Sequence, residues 1–155
     1  MRIRRLLSRL FNNTQGGSLV ELALAVPVLM LLLVGVVDGG RAYYLAVEIA
    51  GAAESAAVYG IQNPTDTAGI TAAAQAAAPD VPNLTVATPA YGCECSDGSS
   101  YSANCSATPS CSSTSNLVYT MTVNVSTNDS LWVPLPAIPS PMTISRSAEM
   151  RSAGN

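Results

Sequence analysis

Histidine and lysine are both missing from this chain of 155 residues. Their absence removes the commonest general base, the commonest metal ligand and the amine of Schiff-base chemistry together. Catalysis by carboxylates alone would remain, but no phosphate loop, nucleophile elbow or paired catalytic acids accompany the ten acidic residues. The sequence is therefore not read as an enzyme, and no cofactor is expected. Charge of either sign is scarce. Only 11% of residues are charged, and the mean hydropathy is +0.30. Such values fit a chain with one membrane segment better than a wholly soluble domain. All seven basic residues are arginines, and Arg2, Arg4, Arg5 and Arg9 lie at the very start. Beyond Gly16, Arg41, Arg146 and Arg151 oppose all ten acids, a formal −7 (3 minus 10). A nucleic-acid partner would need a basic face, and none exists outside the short leader.

What the chain does have is one long apolar run. From Leu19 to Val37 the only charged residue is Glu21. At the helical rise this run spans ~28 Å, close to the hydrocarbon thickness of a bilayer. The leader arginines hold the N-terminus in the cytoplasm, so the remainder is expected to be exported. A secretory signal peptide shares the basic start, but its apolar core is ~7–15 residues and ends at a small-x-small site. The longer run favours anchoring over removal near Gly35 or Gly39. Pro27 within it lacks an amide hydrogen and crowds the carbonyl of Ala23, which predicts a bend that a membrane helix tolerates.

Glu21 is the anomaly. A carboxylate at mid-bilayer costs ~2.5–3.5 kcal/mol on insertion scales, and less near an interface. Headgroup exposure is the plain reading. Yet the preceding stretch "NNTQGG" offers cheaper positions for an acid. A buried carboxylate wants a cation, and cleavage just upstream would create one as a new α-amine.

The order of basic leader, glycine, small or apolar residues, glutamate and apolar helix resembles the type IV prepilin-like proteins. More narrowly, "GGSLVELALAVPVLMLLLVGVVDGGRAYY" resembles the start of TadE-like pseudopilins of the tight-adherence (Flp) pilus. Gly16, Val20, Glu21, Pro27, Gly35, Asp38, Gly40 and Arg41 carry the likeness, with Asp38 where glutamate is more usual. The resemblance implies a prepilin peptidase cutting between Gly16 and Gly17, which makes Glu21 the fifth mature residue. A cut after Gly17 would leave it fourth, out of register. The implied role is a minor pseudopilin in pilus or secretion-pseudopilus assembly. Its implied partners are the peptidase, other pilins or pseudopilins and inner-membrane assembly proteins. The implied location is the bacterial inner membrane, N-terminus cytoplasmic, with the C-terminal domain periplasmic or in an extracellular fibre. The alternative is an uncleaved single-pass protein whose periplasmic domain is a binding module.

On this reading residues 1–16 are a cleaved leader, 17–38 the transmembrane helix, 39–62 its extension and 63–155 the exported domain. In the extension Leu45, Ile49, Ala52, Ala53 and Ala56 form an apolar stripe, and Arg41, Glu48 and Ser55 are placed on the other side. Asp38 and Arg41, three apart, are spaced to pair across a turn. Asn63-Pro64 ends the helix. "TDTAGITAAAQAAAPD" predicts a second helix capped near Thr65 or Asp66 and stopped by Pro79. "NLTVAT", "NLVYTMTVNVST" and "MTISRSAEM" predict strands, and the four prolines of "PLPAIPSP" a loop. Trp132 beside that loop is expected to plug the core. The fold class is α+β: a long N-terminal membrane helix leading into an exported domain with a second helix and a small antiparallel sheet.

All four cysteines, Cys93, Cys95, Cys105 and Cys111, fall in a polar stretch read as a loop over 92–116. Export to an oxidising compartment and an even count imply two disulfides. A Cys93–Cys95 ring would be very tight, so both bridges reach across the loop, nested or crossed. Zinc is the rival, but the spacing is not a paired knuckle and no histidine is present, so no metal is expected.

Overall fold

The computed structural model describes residues 17–132 and 140–153. They fall into two compact units divided between Gly40 and Arg41. One helix, α1 (Gly17–Gln62), contributes to both. It is followed by α2 (Thr67–Ala77) and the strands β1 (Thr85–Val86), β2 (Ala90–Cys95), β3 (Tyr101–Ala103), β4 (Leu117–Asp129) and β5 (Met142–Ala153). The α+β class is as the sequence implies.

The first unit, in its described residues, is helix alone. The second packs helices against one face of an antiparallel sheet whose hub is β4. One edge of β4 pairs with β5 from Val118–Ala153 to Asp129–Met142. The other edge is shared end to end by β2 and β1. Ala87 extends the β1 ladder by donating to the Asn124 carbonyl at 2.9 Å. Pro89, which has no N–H to give, follows before β2 begins. β3 closes that side as a hairpin on β2 through the turn at Asp97-Gly98, where Gly98 takes φ +72°. This residue pair suits a tight turn because glycine reaches positive φ without a Cβ clash.

The core forms where a helical stripe meets a strand row. Ile49, Ala52, Ala53, Ala56 and Ala57 of α1, with Ile70 and Ala74 of α2, are fully buried with Met121, Val123 and Val125 of β4. Alternation along β4 directs Met121, Val123, Val125, Thr127 and Asp129 inward. The alanines let the layers come close. At Gly60 a Cβ would lie 3.0 Å from Met121 Cγ and 3.1 Å from Ile70 Cδ1. Asp66 caps α2: Oδ1 accepts from the Gly69 amide at 2.9 Å, and Oδ2 accepts from the Tyr59 hydroxyl at 2.8 Å. These two bonds, the amide bond first, hold its pKa below the ordinary aspartate value.

Four expectations change. The stretch 92–116 is not simply a loop: it begins inside β2 and includes β3. "NLTVAT" contributes two strand residues, because Asn83 turns into the left-handed region at φ 52°. Trp132 is 69% exposed and does not plug the core. Arg41 is not opposite the apolar stripe; four residues before Leu45, it continues that stripe and reaches the sheet. The proline segment, expected as a loop, lies outside the described residues except for Ser140 and Pro141.

Truncating Ile49 to alanine should destabilise the second unit by ~2–5 kcal/mol. Val58→Ala, on the exposed side of the same helix, should stay within ~0.5 kcal/mol. Urea titration of the detergent-solubilised chain measures both. The Asp66 cap also predicts a pH dependence. Its contribution is present above the ordinary aspartate pKa and is lost as pH falls through the lowered folded value, that is, below about pH 4. Melting temperatures of Asp66→Ala and the parent should therefore differ at neutral pH and converge in acid.

Candidate assembly helix and the Arg41–Asp129 pair

Of the residues singled out in the sequence, Gly17, Glu21, Pro27, Asp38, Gly40 and Arg41 lie on α1, and Gly16 lies outside the described residues. Gly17 opens the helix, and Glu21 stands one turn in, exposed. Pro27 is accommodated inside the helix. From Leu19 to Val37 the large side chains are bare: Leu19 is 68% exposed, Leu24 71% and Val36 72%. The segment is long and apolar enough to cross a bilayer, with none of its most apolar window buried by the protein itself. Within the described residues the protein supplies no cover for this surface, which is the kind that lipid or other helices cover. Among them Glu21 also has no ion-pair partner. A carboxylate at that position can recruit a cation from another chain.

Asp38, Gly40 and Arg41 follow on the same helix. The partner of Arg41 is the residue that sequence reasoning missed. Its Nη2 lies 2.7 Å from Oδ1 of Asp129, which is 4% exposed at the inward-facing end of β4. No donor is aligned for a hydrogen bond to that oxygen, so its compensation is the guanidinium charge itself. Carrying the alternation of β4 two steps past Val125 would have put Asp129 on the buried row, where a lone carboxylate requires a cation. Thr127, one step earlier on that row, donates to the Pro82 carbonyl at 2.6 Å and ties the segment after α2 to β4.

The four cysteines form the crossed arrangement, Cys93–Cys105 and Cys95–Cys111. Cys93 and Cys95 are fully buried on the inward side of β2, so the bridges fasten the 103–116 segment to the sheet. All four thiols are thereby used. Tyr91 stacks on Tyr119 in the same row, with ring centroids 6.0 Å apart. On the opposite side of the sheet Tyr101 lies across Gly92, where a Cβ would collide with its ring. There Arg151 bridges Glu94 at 3.0 Å and Glu149 at 2.8 Å. With Arg151 and Glu149 both exposed, that triad contributes little to stability.

Removing one member of the Arg41–Asp129 pair should be costly, and removing both much less so. A fully buried pair broken on one side costs ~3–5 kcal/mol. Because Arg41 keeps 39% of its side chain in solvent, Arg41→Gln should cost less, about 2 kcal/mol. The double variant with Asp129→Asn should be more stable than the sum of the singles predicts. Additive losses in a double-mutant cycle by urea unfolding would show that the pair is not coupled.

No curated protein matches the chain, and no solved structure does. The match that exists falls on the helix just described and stops short of α2 and the sheet. Residues 16–58, which hold the glycine start, Glu21, the apolar span and Asp38 to Arg41, match the family model for TadE-like protein, and over that segment the chain is similar to that family.

Proposed function

We propose that this chain is a minor pseudopilin of a tight-adherence pilus or a related secretion pseudopilus. Its arginine leader stays in the cytoplasm, a prepilin peptidase cuts between Gly16 and Gly17, and the domain from Arg41 onward is exported across the bacterial inner membrane. Glu21, then fifth in the mature chain, meets the N-terminal amine of a neighbouring subunit and sets the axial register between helices. The role is structural. The acid lowers its burial cost by pairing only when a partner is in register, so the same residue supports insertion and specifies assembly. The reading is carried by one observation: a solvent-bare apolar helix with a single acid one turn from its start, inside the TadE-like match. The exposed span supports neighbouring pilins, pseudopilins or assembly proteins as its partners.

N-terminal sequencing and intact mass of the membrane-extracted protein, with and without the peptidase, test the processing step. A peptidase-dependent start at Gly17 is expected. A chain that keeps its leader in the native host would refute processing and leave a single-pass binding protein as the better account. Glu21→Gln should insert normally, yet its incorporation into fibres should drop at least tenfold, as expected if about 1.4 kcal/mol or more of pairing is lost. Unchanged incorporation by quantitative immunoblot of sheared fibres would dismiss the pairing role.

A further inference from the structure

We propose that a groove between α2 and β1 binds an extended peptide of a partner protein by strand addition, uncharged where it enters and basic at both ends. The inference does not draw on the membrane reading, because the groove lies wholly within the second unit. It has a volume of ~540 Å³ and is lined by Thr67, Thr71 and Gln75 of α2 and by Val86, Thr88 and Pro89, among others. That size falls within the range of about 300–1,000 Å³ usual for ligand sites. Among the described residues no charged side chain lines it.

The ladder between β1 and β4 shows which main-chain groups are left for a partner. Thr85 and Val86 lie opposite Ser126 and Val125, and the Ala87 amide donates to the Asn124 carbonyl. Hydrogen-bonded and open pairs alternate along an antiparallel ladder. Val86 therefore belongs to an open pair, and its N–H and C=O point away from β4, on the side of β1 that no described strand occupies. Among the described residues neither group has a hydrogen-bond partner. Such an edge is a template for another strand. Pro89 has no N–H and ends the run, so an added strand pairs over 85–88. The outer edge of β5 differs: that strand carries Arg146, Glu149 and Arg151, and charges of this kind discourage pairing.

On the other wall, α2 supplies side chains at the repeat of an extended chain. Thr67, Thr71 and Gln75 recur every four residues, ~6 Å apart along the helix. A strand presents one side every two residues, ~6.6–6.8 Å apart. Three hydrogen-bonding side chains therefore keep step with alternate residues of a strand laid in the groove. Thr71 donates its own hydroxyl hydrogen to the Thr67 carbonyl at 2.9 Å, which leaves its lone pairs for a donor. Charge specifies the ends of the occupant. From residue 42 to residue 145 every charged side chain is an acid, and two of them, Asp66 and Asp80, bracket α2. The 11 residues of α2 span ~16 Å, and a strand of seven residues spans ~23 Å. A strand of that length, basic at both ends, brings a cation toward each acid.

The test titrates the full, detergent-solubilised chain against a fluorescein-labelled peptide, Arg-Thr-Val-Thr-Val-Thr-Arg-amide, and reads fluorescence anisotropy. Saturable binding is expected. The same peptide N-methylated at alternate amides should bind about tenfold more weakly, because it cannot complete the ladder. A version with glutamates in place of the arginines should lose about as much, roughly tenfold. Ala72→Trp, an exposed position lining the groove, should also cut affinity about tenfold by filling it. The N-methylated probe needs no variant, so the test survives if that substitution unfolds the domain. No saturable binding up to millimolar peptide would overturn the proposal. Equal binding of the N-methylated peptide would overturn strand addition, and equal binding of the acidic one would overturn the choice of a basic partner. Analytical ultracentrifugation of the chain alone tests the other occupant. Self-association that Ala72→Trp abolishes would make a second copy the occupant and overturn the partner assignment.

Discussion

Each large aliphatic side chain left in water forgoes about 1.5–3 kcal/mol of burial, and among the described residues nothing covers the run from Leu19 to Val37 of α1. Marginal stability of the kind folded domains possess cannot absorb that many exposed side chains. Among the described residues nothing offsets that cost, and the length and composition of the span suit a bilayer. The single acid within it, Glu21, is tolerable at the start of the run and would be most costly at its middle.

The same helix changes character at Arg41. Before it, large apolar side chains point in all directions, as a helix surrounded by apolar solvent requires. After it, burial is confined to one stripe of alanines with Leu45 and Ile49, and the opposite side is wet. Small side chains let β4 and α2 approach closely, which is why Gly60 has Met121 and Ile70 against it. Arg41 stands at the head of that stripe. Its charge neutralises Asp129 at the end of the inward row of β4.

A sheet built on one long strand needs its shorter neighbours held in place. β5 runs along nearly all of β4, but β2 and β1 divide the other edge between them, and β3 has three residues. Small domains with modest cores commonly rely on covalent ties in such places. The two crossed disulfides connect the irregular 103–116 segment to buried positions on β2, so a polar stretch with little to bury still has a defined place.

Sequence alone determined the apolar span, the Glu21 anomaly, the ends of both helices, the two long strands and the α+β class. Each of these is a local property: hydropathy over a window, a missing amide, a capping side chain, an alternation of period two. Tertiary structure decided which cysteines join, because a nested and a crossed pairing have the same composition and differ only in where β2 meets the following segment. It showed Cys93 and Cys95 in a strand, since alternation over six residues is easily masked by surrounding serines and glycines. It placed Trp132 at the surface, because an aromatic ring is buried only where a cavity of its size exists. It also assigned Asp129 to Arg41, 88 positions away in the chain. A buried carboxylate signals that it needs a cation, but only the packing of β4 on α1 says which one.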